Sequence, residues 1–113
     1  MTDPLHLLRG TLDALILKAL SDGQLHGYGI ADWVHEMTDG VLQIEDGALY
    51  TALHRMEERS WLRAEWGVSD RGRRARFYAL TTEGRRHLAA EERDWRRYAE
   101  AMGKVFAIGR ART

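Results

Sequence analysis

The sequence predicts a mainly α-helical fold with one small antiparallel β-hairpin and a long C-terminal helix. Three observations carry that prediction. Apolar residues recur at spacings of three and four through three successive segments of the N-terminal half. One later segment alternates apolar with polar and is followed by turn residues and a second strand-like run. The C-terminal segment repeats apolar residues seven apart without a proline.

Each element can be justified in chain order. Leu8, Leu12, Leu15, Ile16 and Ala19 place helix one over Leu5–Leu20, and Asp22-Gly23 stops it. His26-Gly27-Tyr28-Gly29 opens helix two, which continues through Ile30, Trp33, Val34 and Met37 until Asp39-Gly40. Val41–Ile44 is a short apolar stretch with room for one rung of strand. Asp46 starts helix three, with Leu49, Leu53 and Met56 on one face. Leu62, Ala64, Trp66 and Val68 alternate with polar Arg63 and Glu65, as a half-buried strand requires. Ser69-Asp70-Arg71-Gly72 supplies the turn, and Arg76–Leu80 returns as the second strand. Thr81 or Thr82 then caps a last helix reaching Ala107, a length of about 38 Å. Three helices followed by a two-stranded ribbon is the order of a winged helix-turn-helix, here with a long C-terminal helix added. The expected division is residues 1–81 for the winged domain and 82–113 for the final helix and tail.

Composition bounds the function. The chain has 113 residues, 44% hydrophobic and 30% charged, which suits a single folded domain. It has no cysteine, which excludes a disulfide scaffold, a thiolate zinc site and a cysteine nucleophile. There is no apolar run long enough to span a membrane and no leader-like N-terminus, so a cytoplasmic location is expected. Seventeen basic and seventeen acidic residues cancel, which argues mildly against nucleic acid. The distribution argues the other way: Arg71, Arg73, Arg74 and Arg76 lie together with no acid among them.

Several short motifs stand in a telling order. They are Leu8-Arg9-Gly10-Thr11-Leu12, His26-Gly27-Tyr28-Gly29-Ile30, Gly47-Ala48-Leu49-Tyr50 with Leu53-His54-Arg55-Met56-Glu57, and Tyr78-Ala79-Leu80-Thr81 with Gly84. In this order and spacing the chain resembles PadR-family transcriptional regulators, of the small subfamily with a single C-terminal helix. Two residues depart from that pattern: Thr51 stands where the family often has Pro, and Ser60 where it often has Gly. A Ser at position 60 must tolerate any left-handed conformation that the turn requires. The resemblance implies a homodimeric repressor that binds an inverted-repeat operator in double-stranded DNA. It further implies release by a small, commonly aromatic, effector or by another signal.

On helix three, Gly47, Tyr50, Thr51 and His54 lie off the apolar face, and Arg55 stands beside them. Periodicity alone suits a solvated face as well as a DNA-contacting one; the resemblance favours DNA. Gly47 would let the backbone approach the duplex, Thr51 would meet a phosphate or a thymine methyl, and His54 or Arg55 would donate to a base edge. Tyr50 would either bond a phosphate or pin helix three against the hairpin. Arg71, Arg73 and Arg74 around Gly72 would form the wing tip, clamping phosphates or entering a narrow minor groove.

The last helix carries Leu88, Trp95 and Met102 seven apart, flanked by Tyr98, Val105 and Phe106. That stripe is a pairing seam, expected to form a homodimer together with Leu8 of helix one, although Glu91 and Glu92 interrupt it. In multidrug-sensing members of the family an aromatic on this helix stacks on flat ligands, and Trp95 resembles that residue; an ordinary interface anchor is the other role open to it. His6, His26, His35, His54 and His87 show no metal-ligand spacing, and His26 suits a role at the entry to helix two. No metal, cofactor or enzymatic activity is expected, since no nucleophile elbow, phosphate loop or zinc-protease motif is present. A winged-helix interaction module that binds protein instead of DNA is the competing class, motivated by the zero net charge.

Overall fold

The computed structural model describes residues 10–111. Their order is α1 (Thr11–Ala19), β1 (Leu25–His26), α2 (Gly27–Met37), α3 (Asp46–Glu58), β2 (Leu62–Val68), β3 (Arg74–Leu80) and α4 (Thr82–Ala111). The first three helices each give the core one stripe: Ile16, Leu17 and Leu20 within and just after α1, Ile30 and Val34 from α2, and Leu49, Leu53 and Met56 from α3. All eight are at least 98% buried, and burying a side chain of this size stabilises the fold by about 1.5–3 kcal/mol. Leu62, Tyr78, Leu80 and Leu88 close that core from the sheet and from α4.

The sheet order is β1-β3-β2, antiparallel throughout. β2 and β3 pair from Leu62 opposite Leu80 to Val68 opposite Arg74. Their connection is a three-residue loop: Ser69 N–H donates to the Arg73 carbonyl at 2.8 Å, and Gly72 N–H to the Ser69 carbonyl at 2.9 Å. Gly72 takes the left-handed conformation (φ 76°) that such a loop demands.

α3 ends in a Schellman motif. Trp61 N–H donates to the Met56 carbonyl at 3.0 Å, and Ser60 N–H to the Glu57 carbonyl at 3.0 Å. Ser60 is left-handed, with φ of 64°, so the fold imposes here the conformation that glycine adopts without strain. The turn leads directly into the junction with α4. Thr81 N–H donates to the Trp61 carbonyl at 3.0 Å, and the Thr81 hydroxyl donates to the Ser60 carbonyl at 2.6 Å. The same hydroxyl accepts from Gly84 N–H at 3.0 Å, capping α4. Gly84 lies so near the Trp61 carbonyl that a Cβ could not be accommodated.

α4 has 30 residues. Its base is held by Leu88 in the core, by Arg85 donating to the Ser21 carbonyl at 3.3 Å, and by a Lys18–Glu92 ion pair at 3.3 Å. From Arg93 to Ala107 every residue is exposed. The radius of gyration is 16.3 Å, against about 13 Å for a compact chain of this length, so α4 projects from the domain.

Five details differ from the sequence expectations. Helix one does not run through Gly10, which is left-handed at φ 87°; the helix starts at Thr11. The expectations for Leu8 and for the earlier part of helix one lie outside the described residues. The sheet has a third strand that was not expected, Leu25–His26, beside Tyr78 and Phe77, whereas Val41–Ile44 carries the one expected rung, a single bridge residue at Leu42. β3 begins at Arg74 rather than Arg76, because the short loop lets pairing continue to Val68. The alternation of β2 does not bury its outer half: Trp66 is 60% exposed and Val68 69%, because the hairpin extends past the helices that cover Leu62. The last difference is that α4 continues to Ala111, beyond Ala107.

Two substitutions test the junction. Ser60→Gly should raise the unfolding free energy by about 0.5–1 kcal/mol, since it removes a left-handed side chain and its strain exceeds the added chain entropy. Gly84→Ala should lower it by about 1–3 kcal/mol or more, because a backbone carbonyl must move. Urea denaturation reads both.

Candidate nucleic-acid interface

α3 presents one face to the core and another to solvent, and Gly47, Tyr50, Thr51 and His54 lie on the solvent side. A Cβ added at Gly47 would meet nothing within 4 Å, so this turn of helix is bare. Arg55 is turned away from that face. Its guanidinium is ion-paired with Asp13 of α1, joining the two helices. Tyr50 packs first against α2. Its ring crosses to the first turn of α2, where a Cβ at Gly27 would stand 2.6 Å from the phenol oxygen. Burial, and then the neighbouring Tyr28, Asp46 and Tyr78, push the Tyr50 hydroxyl above its ordinary pKa of 10.0. His26 caps the same turn, its Nδ1 accepting from Gly29 N–H at 3.0 Å. The ring of His26 also meets Phe77 of β3 edge-on at 5.4 Å.

The hairpin carries Arg71, Arg73 and Arg74 at its outer end, all exposed. Arg71 and Arg73 make no ion pair with any described residue. Arg74 lies over the Trp66 ring, 4.5 Å from its centre. Arg76, the fourth member of the cluster, is already engaged: its Nη2 donates to Glu57 Oε2 of α3 at 2.7 Å. That pair ties the wing to α3 beside an open groove of about 320 Å³ lined by His54, Glu57, Glu58 and Arg76. Burial raises the Tyr78 hydroxyl more strongly than Arg76 holds it down, so Tyr78 too sits above 10.0.

On α4, Leu88 is buried, while Trp95, Met102, Tyr98, Val105 and Phe106 are 38–72% exposed. Trp95 and Tyr98 have ring centres 6.0 Å apart, tilted by 36°. Glu91 and Glu92, which interrupt the apolar repeat, have local partners. Glu92 meets Lys18 and Arg96, and Glu91 lies 3.2 Å from His87. His87 stacks on Trp61 at 3.7 Å between ring centres.

Sequence reasoning missed Asp13, Glu57 and Trp66 as shapers of this surface. Asp13 and Glu57 gave no signal, since an ion pair across the fold has no spacing rule. For Trp66 the alternation gave the face, shared with Leu62, but not that the covering helices stop short of it. Among the described residues no group of three or more His, Asp or Glu is placed to hold a metal. None of their helices is long and apolar enough to cross a membrane.

Comparison with known proteins agrees with this architecture. The family model described as "Transcriptional regulator PadR-like family" matches residues 16–90. A PadR family transcription regulator of Clostridium difficile R20291 superposes with a TM-score of 0.74 at 30% identity, covering 86% of this chain and 99% of its own. A transcriptional regulator from Clostridium thermocellum gives 0.76 at 27% identity, covering 85% and 93%. "Uncharacterized protein X" of Lysinibacillus sphaericus is 30% identical over 97 residues, 85% of this chain and 88% of its own.

The two raised tyrosines predict an alkaline sensitivity. The fold favours their neutral forms, so their contribution is constant at neutral pH. Stability should fall as pH rises past the ordinary tyrosine value of 10.0, where the unfolded chain ionises first. Urea midpoints across alkaline pH should show that fall, and Tyr78→Phe should make it shallower.

Proposed function

Because the chain belongs to the PadR-like family of transcriptional regulators, DNA-binding proteins rather than enzymes, we propose that it is a homodimeric repressor of an inverted-repeat operator. The observation that carries this reading is the pairing of an exposed α3 face with an arginine-tipped hairpin tied to it by Arg76–Glu57. Within residues 1–81, α3 enters the major groove with Gly47, Thr51 and His54 outward and Tyr50 at its rim, while Arg71, Arg73 and Arg74 reach the flanking backbone. Arg55 contributes by holding α3 to α1, and contacts the duplex only if it leaves Asp13.

Residues 82–113 supply the pairing surface. An apolar row of Trp95, Tyr98, Met102, Val105 and Phe106 along a projecting helix is costly to leave in water, and a second copy covers it. Leu88 roots that row in the core, and Leu8 is assigned to the same interface. Trp95 anchors the dimer and, with its twin, offers flat aromatic effectors a stacking surface whose occupation releases the operator. Sedimentation should give a dimer. Fluorescence of the Trp95 indole should be quenched by such a compound, and a Trp95→Ala dimer that binds the compound equally well would refute the stacking role.

The second reading, a protein-interaction module, draws on one observation: no lysine or arginine side chain lies free on the exposed face of α3 among the described residues. Fluorescence anisotropy decides between the two, using a duplex from upstream of the chain's own gene beside a scrambled one, at several salt concentrations. Saturable binding to the upstream duplex alone supports the repressor. No binding to either duplex at low salt, with a protein partner retained, supports the module. Arg73→Ala with Arg74→Ala should weaken DNA binding and lower its salt slope by about one for each phosphate that the wing no longer neutralises.

A further inference from the structure

Trp66 is the least expected side chain on the wing. Strand alternation puts it on the face shared by Leu62, Tyr78 and Leu80, the face that the helices cover lower down. At the level of Trp66 the helices no longer reach, and the indole is 60% exposed, with Val68 beyond it at 69%. Its surroundings are cationic. Arg74 stands opposite Val68 in the ladder, Arg73 and Arg71 follow in the loop with Asp70, and Arg76, opposite Trp66 itself, is already paired with Glu57, so the arginines outnumber the acids around the ring. Arg74 lays its guanidinium over the ring at 4.5 Å.

We propose that Trp66 and Arg74 form one composite contact for the DNA backbone, resting on the DNA-binding reading above. Held over the ring, the Arg74 guanidinium has no ion pair among the described residues, so its N–H groups are available to donate to phosphate oxygens. The uncovered edge of the indole, with Val68, packs on the deoxyribose beside that phosphate. Charge decides the occupant: an exposed aromatic ringed by arginines suits a polyanion with an apolar sugar edge better than a hydrophobic protein surface. This assigns Trp66 a role in affinity that is not sequence-reading, because phosphate and sugar are the same at every step.

The test combines binding and fluorescence on the whole dimer. Trp66→Ala should weaken both the operator and a scrambled duplex by about tenfold, an effect of the size that aromatic contacts with nucleic acid have. Trp66→Phe should keep most of the affinity. In an Arg74→Ala background, Trp66→Ala should cost clearly less than it does alone, since the two act as a unit. Emission assigned to Trp66, taken as the difference between wild type and Trp66→Phe, should change on saturation with duplex. Circular dichroism matching the wild type excludes misfolding as the cause. Unchanged affinity in Trp66→Ala, or Trp66 emission indifferent to saturating duplex, overturns the composite contact while the wild type still binds. Emission already typical of a buried indole before DNA is added, with a shift on dilution to monomer, overturns it in favour of a second copy. A wild type that binds no duplex at all overturns the DNA-binding reading, and this proposal with it.

Discussion

The crowding around the Trp61 carbonyl is the constraint on which the rest of the molecule depends. The end of α3, the start of β2 and the first turn of α4 meet at that one oxygen. The Thr81 N–H satisfies it, and the bare Cα of Gly84 allows α4 to approach it. The turn preceding it requires a left-handed residue, supplied here by Ser60. Because all three elements leave from one place, the direction of the hairpin and the direction of α4 are set together. Side-chain packing follows from that: Leu62, Leu80 and Leu88 converge on the core only with this departure angle.

A chain of zero net charge nevertheless presents a strongly basic edge, and the ion pairs explain how. Asp13 takes Arg55, Glu57 takes Arg76, and Glu92 takes Lys18. Exposed pairs of this kind add little to stability, roughly 0–1 kcal/mol each. Their larger effect is orientation, since each joins two different elements. Among the described residues no acid takes Arg71, Arg73 or Arg74, which stand together at the hairpin tip, whereas the other unpaired arginines, such as Arg59, Arg63, Arg93 and Arg97, are spread over the surface. Local charge at that tip is therefore a product of where the acids sit, and net charge is a poor guide to it.

Much of this was legible in the sequence, for physical reasons that can be named. Helical spacing found Ile30 and Val34 of α2 and Leu49, Leu53 and Met56 of α3 because those residues face the core, while Met37, at the end of α2, is exposed and the buried Ala52 was too small to stand out. The His26-Gly27-Tyr28-Gly29 motif marked the start of α2, and the structure shows why: His26 caps it and Gly27 makes room for Tyr50. Alternation identified β2 to the residue, yet failed on burial, because a period of two says which face a side chain takes and not how far the covering helices extend. The pairing of Leu25–His26 with β3 was invisible, since two residues carry no period. The destination of Arg55 was invisible for a similar reason: Asp13 is remote in sequence and near only in the fold.

The mechanical character of α4 has a consequence of its own. A straight helix clamped at one end is a lever. Beyond Glu92 the segment 93–111 extends roughly 28 Å at the usual rise per residue. A tilt of about 2° at the clamp then moves the far end by about 1 Å, a distance comparable to the tolerance of a packed apolar seam. The relation holds in reverse, so a small wedge near Met102 or Phe106 reappears as an angle at the Leu88 end. Angle is the quantity that this rod carries to the domain at its base.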